Sequence, residues 1–237
     1  MIAIYDFARG ARGLRVIWQC EEMGLPYRVE AVSFPPSAAY RALNPLGTVP
    51  FLEDAGGVAI NESVAIMLYL AQQYGPTPLL PGTGDPRLAR VLQLTVFAEA
   101  TIGAGMNPLL AARFAAPEAE KRNWSVRMQE ARIAHAVGYL ADMLGADPFL
   151  AGADFTLADI CVSTALDIWR GPLGQTLPDK LLDYHQRLAA RPALGRAESP
   201  WLELNPGNST IRHRLPRSGG KAARCLLKVM DHDSRSS

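Results

Sequence analysis

The sequence is poor in cysteine and histidine and has no long hydrophobic run. Its three cysteines, Cys20, Cys161 and Cys225, are spaced too widely for a CxxC redox pair or a zinc knuckle, and its four histidines show no metal-ligand spacing. No segment approaches the roughly 20 consecutive apolar residues of a membrane-spanning helix. The first residues have neither the basic start nor the apolar run of a signal peptide. We therefore expect a cytoplasmic protein that holds no metal and does not bind a membrane.

Glycine-rich nucleotide motifs are also missing, because Gly10 and Gly13 fit neither the GxGxxG nor the Walker pattern. A hydrophobic content of 49% and a charged content of 20% are typical of one or two well-cored domains. Residues 205–237 differ from the rest, since they contain seven Lys or Arg against two Asp, whereas the remainder of the chain is acidic. This composition predicts a basic, disordered tail, and a solvated extension is favoured over a nucleic-acid-binding arm.

Short apolar patterns and turn signals predict the secondary structure of the first third of the chain. Alternating β-prone residues at the start predict a central strand, and a strand–helix–strand order indicates a parallel βαβ unit with a right-handed crossover. The predicted elements follow the order βαβ-α-ββα. They cover residues 2–5, 14–23, 27–32, 37–43, 51–60 and 63–74, and the range 51–60 contains both strands of a hairpin. This order predicts an α/β domain with a mixed sheet.

The rest of the sequence predicts helices almost throughout. These follow the proline- and glycine-rich residues 75–86 and cover residues 86–114, 117–144, 156–169 and 179–190. Pro108 should bend or break the first helix, because proline inside a helix costs about 3 kcal/mol or more. Thr156 and Asp159 have the spacing of a capping box, in which each side chain satisfies an amide group at the helix start. We expect this box to serve folding rather than chemistry.

The segment from Asn44 to Ser63 carries the most specific functional signal. Val49-Pro50 lies at the mouth of a strand, where proline offers no N–H and the valine backbone stays available to an extended peptide. A cis bond here would cost only about 0.5–1 kcal/mol more than the trans form. A hairpin follows, and then a helix that Asn61 or Ser63 can cap. Its exposed N–H groups attract a carboxylate.

This segment resembles the glutathione-binding half of the glutathione transferase superfamily. The matching pattern is N-P-x-G-x-V-P, a hairpin, and then N-E-S-x-A-I-x-x-Y-L. The resemblance implies that Val49 and Pro50 lie along the peptide backbone of glutathione. It also implies that Glu62 and Ser63 hold the γ-glutamyl end.

Two later motifs extend the resemblance over residues 1–202: A-G-x-x-F-T-L-A-D-I around Thr156, and the helix that ends at Arg191-Pro192. It implies a thioredoxin-like N-terminal domain, an all-helical C-terminal domain and a homodimer that uses glutathione as co-substrate. The expected glutathione-binding domain covers residues 1–75 and is followed by a linker over residues 76–85. The helical domain covers residues 86–204, and the tail covers residues 205–237.

The group that would activate the glutathione thiol is harder to assign. Family members carry a Tyr, Ser or Cys at the end of the first strand or the start of the next helix, but residues 6–13 contain no Ser, Thr or Cys. This absence argues against thiol–disulfide exchange. Tyr5 matches the Y-x-x-A-R-G run of tyrosine-type members and is one candidate. The alternatives are electrostatic stabilisation by Arg12 or Arg9 near a helix start, or a site that binds glutathione without activating it.

The co-substrate pocket can be inferred only from the architecture of the family. Phe7, Met106, Arg113 and Trp169 could line a hydrophobic pocket between the two domains, although helical spacing alone would place such residues in the core. The resemblance thus implies a detoxification-type transferase that joins glutathione to a small hydrophobic electrophile. The alternative is a non-catalytic glutathione-binding or protein-interaction module with the same fold.

Overall fold

The computed structural model of the chain describes residues 1–7 and 12–204, with side chains up to residue 199. The hypothesis for Arg9 and the predictions for residues 205–237 therefore lie outside the described residues. The strands are β1 (Ile2–Phe7), β2 (Tyr27–Val32), β3 (Phe51–Asp54) and β4 (Val58–Asn61). The helices are α1 (Gly13–Met23), α2 (Ala38–Leu43), α3 (Ser63–Gln73), α4 (Arg87–Phe97), α5 (Ala104–Phe114), α6 (Trp124–Leu144), α7 (Leu157–Arg170), α8 (Asp179–Ala189) and α9 (Pro192–Leu204).

Among the described residues, four strands form one mixed sheet in the order β2-β1-β3-β4. Strand β1 pairs in parallel with β2 and antiparallel with β3, and β3 and β4 form the hairpin. The predicted central strand, βαβ unit and hairpin are all confirmed. Alternation along β1 places Ile2 and Ile4 in the main core, whereas Tyr5 and Phe7 lie on the opposite face near Tyr40 of α2.

Helix α1 is buried along most of its length, as its dense apolar pattern predicts. It ends at Gly24, whose φ of +65° lies in the left-handed region, which glycine adopts without strain. Helix α9 packs against α1, and Arg191 at its start forms an ion pair with Glu22 at 2.7 Å. Cys20 and Cys161 are both buried in the hydrophobic core.

The helical region corrects two predictions. Helix α5 continues through Pro108, and the regular pattern is instead interrupted upstream by a π-helical segment, Ala98–Gly103, which joins α4 to α5. Such π-helical turns within α-helices are rare and are frequent at functional sites. Helix α6 begins at Trp124 rather than at 117, because Asn123 Oδ1 accepts a hydrogen bond from the Val126 N–H and so caps it.

The predicted capping box at the start of α7 is confirmed. Asp159 Oδ2 accepts from the backbone N–H and the hydroxyl of Thr156 at 2.8 and 3.0 Å. Its Oδ1 accepts from the Tyr184 hydroxyl, which ties α8 to α7. No helix within the described ranges is long and apolar enough to cross a membrane. The limits of the two domains and of the linker stay predictions.

Candidate functional site

The loop before β3 carries Val49, which packs against the cluster of Val32, Tyr40 and Phe51. The Val49–Pro50 peptide bond is cis, and Val49 is half-buried. The preceding carbonyl is fixed by two donors, since the Tyr40 hydroxyl and Asn44 Nδ2 lie 2.7 and 2.8 Å from Thr48 O. These two hydrogen bonds fix the loop, so its geometry does not depend on a bound peptide.

Helix α3 begins directly beyond β4, but neither predicted cap is used. Glu62 occupies the cap position with φ +70°, a backbone conformation that is uncommon for a residue with a side chain. Ser63 is already the first helical residue and is 2% exposed, and its Oγ accepts a hydrogen bond from Arg15 at 3.2 Å. Asn61 Oδ1 is buried with no partner in the described part of the chain. The prediction that Ser63 or Asn61 caps α3 is thus wrong, because the serine oxygen faces Arg15.

Arg15 forms the centre of a buried polar cluster that the sequence does not reveal. Its side chain, 1% exposed, donates to Ser63 Oγ, to Thr164 Oγ1 at 2.7 Å and to Glu99 Oε2 at 2.5 Å. Glu99 belongs to the π-helical segment, and a Cβ on Gly103 would lie 3.1 Å from its carboxylate. Arg15 therefore joins the start of α3 to two elements of the helical region.

Arg12 lies at the start of α1 and shares the same carboxylate. Its Nε is 2.9 Å from Glu99 Oε1 and 3.0 Å from Oε2, and one terminal nitrogen donates to Asn107 Oδ1 at 3.5 Å. The Arg12 side chain is 32% exposed, in contrast to Arg15. The structure thus places Arg12 at the contact between α1 and the helical region, on the open side of the cluster.

Tyr5 lies on the face of the sheet that packs against α2, beside Phe51 and Tyr40. Its hydroxyl donates to Glu53 Oε2 at 2.6 Å. Burial, together with the hydrogen bond and the negative charge of Glu53, raises the pKa of Tyr5 to about 12. The hydroxyl is consequently protonated at neutral pH, and its proton is directed at a carboxylate on the neighbouring strand.

The four expected pocket residues do not share one open surface. Met106 and Trp169 lie in the hydrophobic core, 0% and 3% exposed, and Trp169 Nε1 donates to Thr176 O at 3.2 Å. Phe7 packs edge-on against Phe34 with ring centroids 5.4 Å apart. Exposed Arg113 donates to a carbonyl in the loop after α7. Burial of the two core residues is what helical spacing alone would produce.

Metal ligands are not assembled in the part of the molecule that the structure covers, where no three His, Cys, Asp or Glu side chains are grouped to hold an ion. The buried position of Cys20 raises the pKa of its thiol to about 12, and burial raises that of Cys161 to about 11. Neither cysteine is therefore ionised near neutral pH, and neither is suited to act as a nucleophile.

Two family models match the chain. Glutathione S-transferase, N-terminal domain, matches residues 12–73, and glutathione S-transferase, C-terminal domain, matches residues 106–196. Among curated proteins, the glutathione S-transferase-like protein OpS6 of Beauveria bassiana is 30% identical over 67% of this chain and 75% of that protein. Glutathione S-transferase GstA of Escherichia coli O157:H7 is 28% identical over 68% of this chain and 77% of its own length.

A solved structure supports the same comparison. The crystal structure of a glutathione transferase from Methylococcus capsulatus is similar with a TM-score of 0.75 at 28% identity, covering 85% of this chain and 98% of that one. The likeness extends over both the sheet and the helical region.

Proposed function

The chain belongs to the glutathione S-transferase family, and we propose that it binds glutathione and activates its thiol for attack on an electrophilic co-substrate. The observation that carries this proposal is the arrangement of two backbone features. The cis Val49–Pro50 turn and the start of α3 are joined by the β3–β4 hairpin, so that a short extended peptide can meet both. Glutathione has that shape, with a carboxylate at its γ-glutamyl end.

The proposed position of glutathione follows from the chemistry of these two features. The cysteinyl unit would pair with the backbone of Val49 in the manner of an added strand. The γ-glutamyl carboxylate would meet the first N–H groups of α3 at Ser63, where the helix dipole favours an anion. Buried Arg15 adds a positive charge behind Ser63 Oγ. The Glu62 carboxylate would form an ion pair with the γ-glutamyl ammonium group.

Activation of the thiol requires a moderate amount of energy. A free thiol has a pKa near 8.5, and lowering it by about two units corresponds to ~2.7 kcal/mol. One hydrogen bond to a charged group contributes ~1.5–3 kcal/mol, so a single well-placed donor is sufficient. Arg12 and Tyr5 are the proposed donors. The Arg12 side chain is partly exposed and has further donors, whereas Tyr5 must exchange Glu53 for the sulfur.

The second candidate function is a glutathione-binding module without catalysis. The observation that favours it is the engaged hydroxyl of Tyr5, together with the absence of Ser, Thr and Cys from residues 6–13. Such a module would bind glutathione through Val49, Pro50, Glu62 and Ser63. It would leave the bound thiol with its ordinary pKa.

Two measurements on one sample test the proposal. Calorimetric titration with reduced glutathione should show binding, and conjugate formation with a reactive electrophile should exceed the uncatalysed rate. Binding without turnover would favour the second candidate, and no binding would contradict both. The family resemblance also leads us to propose a homodimer, which light scattering during gel filtration would establish by its mass.

A further inference from the structure

The contact between Arg12, just before α1, and Asn107 of α5 presents hydrogen-bond donors at the surface of the molecule. A guanidinium can only donate, so the amide atom of Asn107 that faces Arg12 is its oxygen. The amide nitrogen, with two donors, consequently points away from Arg12. Asn107 is exposed, and Arg12 has five N–H donors, of which Glu99 and Asn107 engage two.

The acceptor groups of the same cluster are already occupied. The Glu99 carboxylate forms ion pairs with both Arg12 and Arg15, and the Asn107 side-chain oxygen accepts a hydrogen bond from Arg12. Asp6 is fully buried beneath Gly13, where a Cβ would lie 2.2 Å from its Oδ2. The exposed polar atoms of Arg12 and Asn107 are thus donors, whereas the nearby carboxylates are shared or buried.

The charges determine the range of this attraction. Glu99 pairs with both Arg12 and Arg15, so part of their positive charge is compensated within the cluster. Recognition must then depend on short, directional N–H bonds from Arg12 and Asn107. A guanidinium matches a carboxylate in a planar, two-bond geometry.

Two apolar residues that the family architecture would place near the co-substrate are not exposed beside Arg12 and Asn107. Met106, adjacent to Asn107, is fully buried, and Trp169 is also in the core. A purely hydrophobic electrophile would leave the donors of Arg12 and Asn107 without partners once water was displaced, which is unfavourable.

We propose that the co-substrate carries a carboxylate or a similar anionic group, and that Arg12 and Asn107 recognise this group next to the glutathione thiol. The inference rests on the proposed transferase function and refines its substrate class. It differs from the small hydrophobic electrophile that the family resemblance implies.

Two aryl chlorides that differ by one carboxylate provide the test. In 2-chloro-1,3-dinitrobenzene and 4-chloro-3,5-dinitrobenzoate, the thiolate sulfur forms a bond to the ring carbon, and chloride leaves with the bonding electron pair. The carboxylate takes no part in that step. For each compound, kcat/KM is divided by the uncatalysed second-order rate constant. We expect the normalised value for the benzoate to be about tenfold higher or more, as one charge-assisted hydrogen bond would give.

Asn107→Asp is the diagnostic variant, because it replaces amide donors with a carboxylate that also engages Arg12. It should remove the preference for the benzoate. The matched control is Gln93→Glu, which makes the same change of charge at an exposed position on α4. A preference that Asn107→Asp leaves intact, or equal normalised values for both compounds in the wild type, would overturn the inference while leaving the transferase function standing.

A binding measurement distinguishes failure of the inference from failure of the proposed transferase function. If neither compound is turned over, the transferase function is contradicted, and calorimetry with the two preformed glutathione conjugates decides the inference. Tighter binding of the carboxylated conjugate, lost in Asn107→Asp and kept in Gln93→Glu, would support it. Equal affinity for the two conjugates, or no binding of either, would overturn it.

Discussion

The Tyr5 hydroxyl and the Glu53 carboxylate are joined by a 2.6 Å hydrogen bond across adjacent strands. The hydroxyl that the family resemblance assigns to the glutathione sulfur is therefore bonded to a carboxylate. A thiolate is also an anionic acceptor, so activation by Tyr5 would exchange one such bond for another. Arg12 needs no exchange of this kind, since it has donors beyond those that Glu99 and Asn107 engage.

Tyr5→Phe separates these two routes. If Tyr5 donates to the sulfur, the variant should lose about tenfold or more in kcat, since one hydrogen bond to the anion is removed, and glutathione affinity should be retained. Steady-state kinetics and calorimetry give the two quantities. Tyr139→Phe on α6 is the matched control. Unchanged turnover in Tyr5→Phe would remove Tyr5 from the mechanism and leave Arg12 as the donor.

The Glu62→Ala, Ser63→Ala double variant tests the proposed γ-glutamyl site. It removes the carboxylate and the hydroxyl at the start of α3, and we expect glutathione binding to fall below calorimetric detection. An exposed pair of the same types near α6, Glu118→Ala with Ser125→Ala, is the control and should bind normally. Wild-type affinity in the Glu62, Ser63 variant would place glutathione elsewhere.

The ion pair between Arg15 and Glu99 should contribute strongly to stability. Glu99→Ala leaves the guanidinium of Arg15 buried without its carboxylate, and the loss of one partner from a buried pair costs about 3–5 kcal/mol. Urea unfolding at neutral pH measures the loss. Combining Glu99→Leu with Arg15→Met removes both charges and should recover much of the stability. A cost below about 1 kcal/mol for Glu99→Ala would show that water replaces the carboxylate.

The ionisation of Asp54 should make the free energy of unfolding depend on pH. Burial alone would raise its pKa, but bonds from the hydroxyls of Tyr74 and Tyr69 and from the Ala55 N–H outweigh burial and hold the pKa below its usual range. A lowered native pKa means that the contribution is complete above the unfolded-state pKa of about 3.9 and is lost as pH falls through the native value.

Asp54→Asn should therefore destabilise the protein at pH 7 by about 1 kcal/mol. The difference from wild type should shrink progressively below about pH 4. Urea unfolding at a series of pH values measures it. A difference that stays constant down to acid pH would mean that the asparagine acts through lost packing rather than charge.

Local sequence signals were sufficient for the parts of the fold that depend on neighbouring residues. The βαβ unit, the Val49-Pro50 turn and the capping box at Thr156 each follow from periodicity or from a short motif. Helix α9 is not among the helices that the sequence predicts, because Pro192 indicates a helix end, although proline is also well tolerated at the first position of a helix. Asn123 is a favoured cap residue type, but the prediction starts the helix at Pro117, which is also favoured at a helix start.

The polar cluster could not be found in the same way. Arg15 stands in an apolar helix and suggests a solvated edge, but its partners Ser63, Glu99 and Thr164 lie 48, 84 and 149 residues further along the chain. Only the packing of the helical region against α1 brings them together. No local pattern distinguishes a buried arginine of this type from an exposed one.

The state of the bound thiol tests the central claim most directly. The ultraviolet absorbance of the thiolate, followed across pH with saturating protein and subtracted for protein alone, gives the pKa of bound glutathione. We predict a midpoint about two units below the value near 8.5 of a free thiol, so that thiolate is already present at neutral pH. A bound thiol that titrates as it does in free glutathione would contradict activation and identify a binding module.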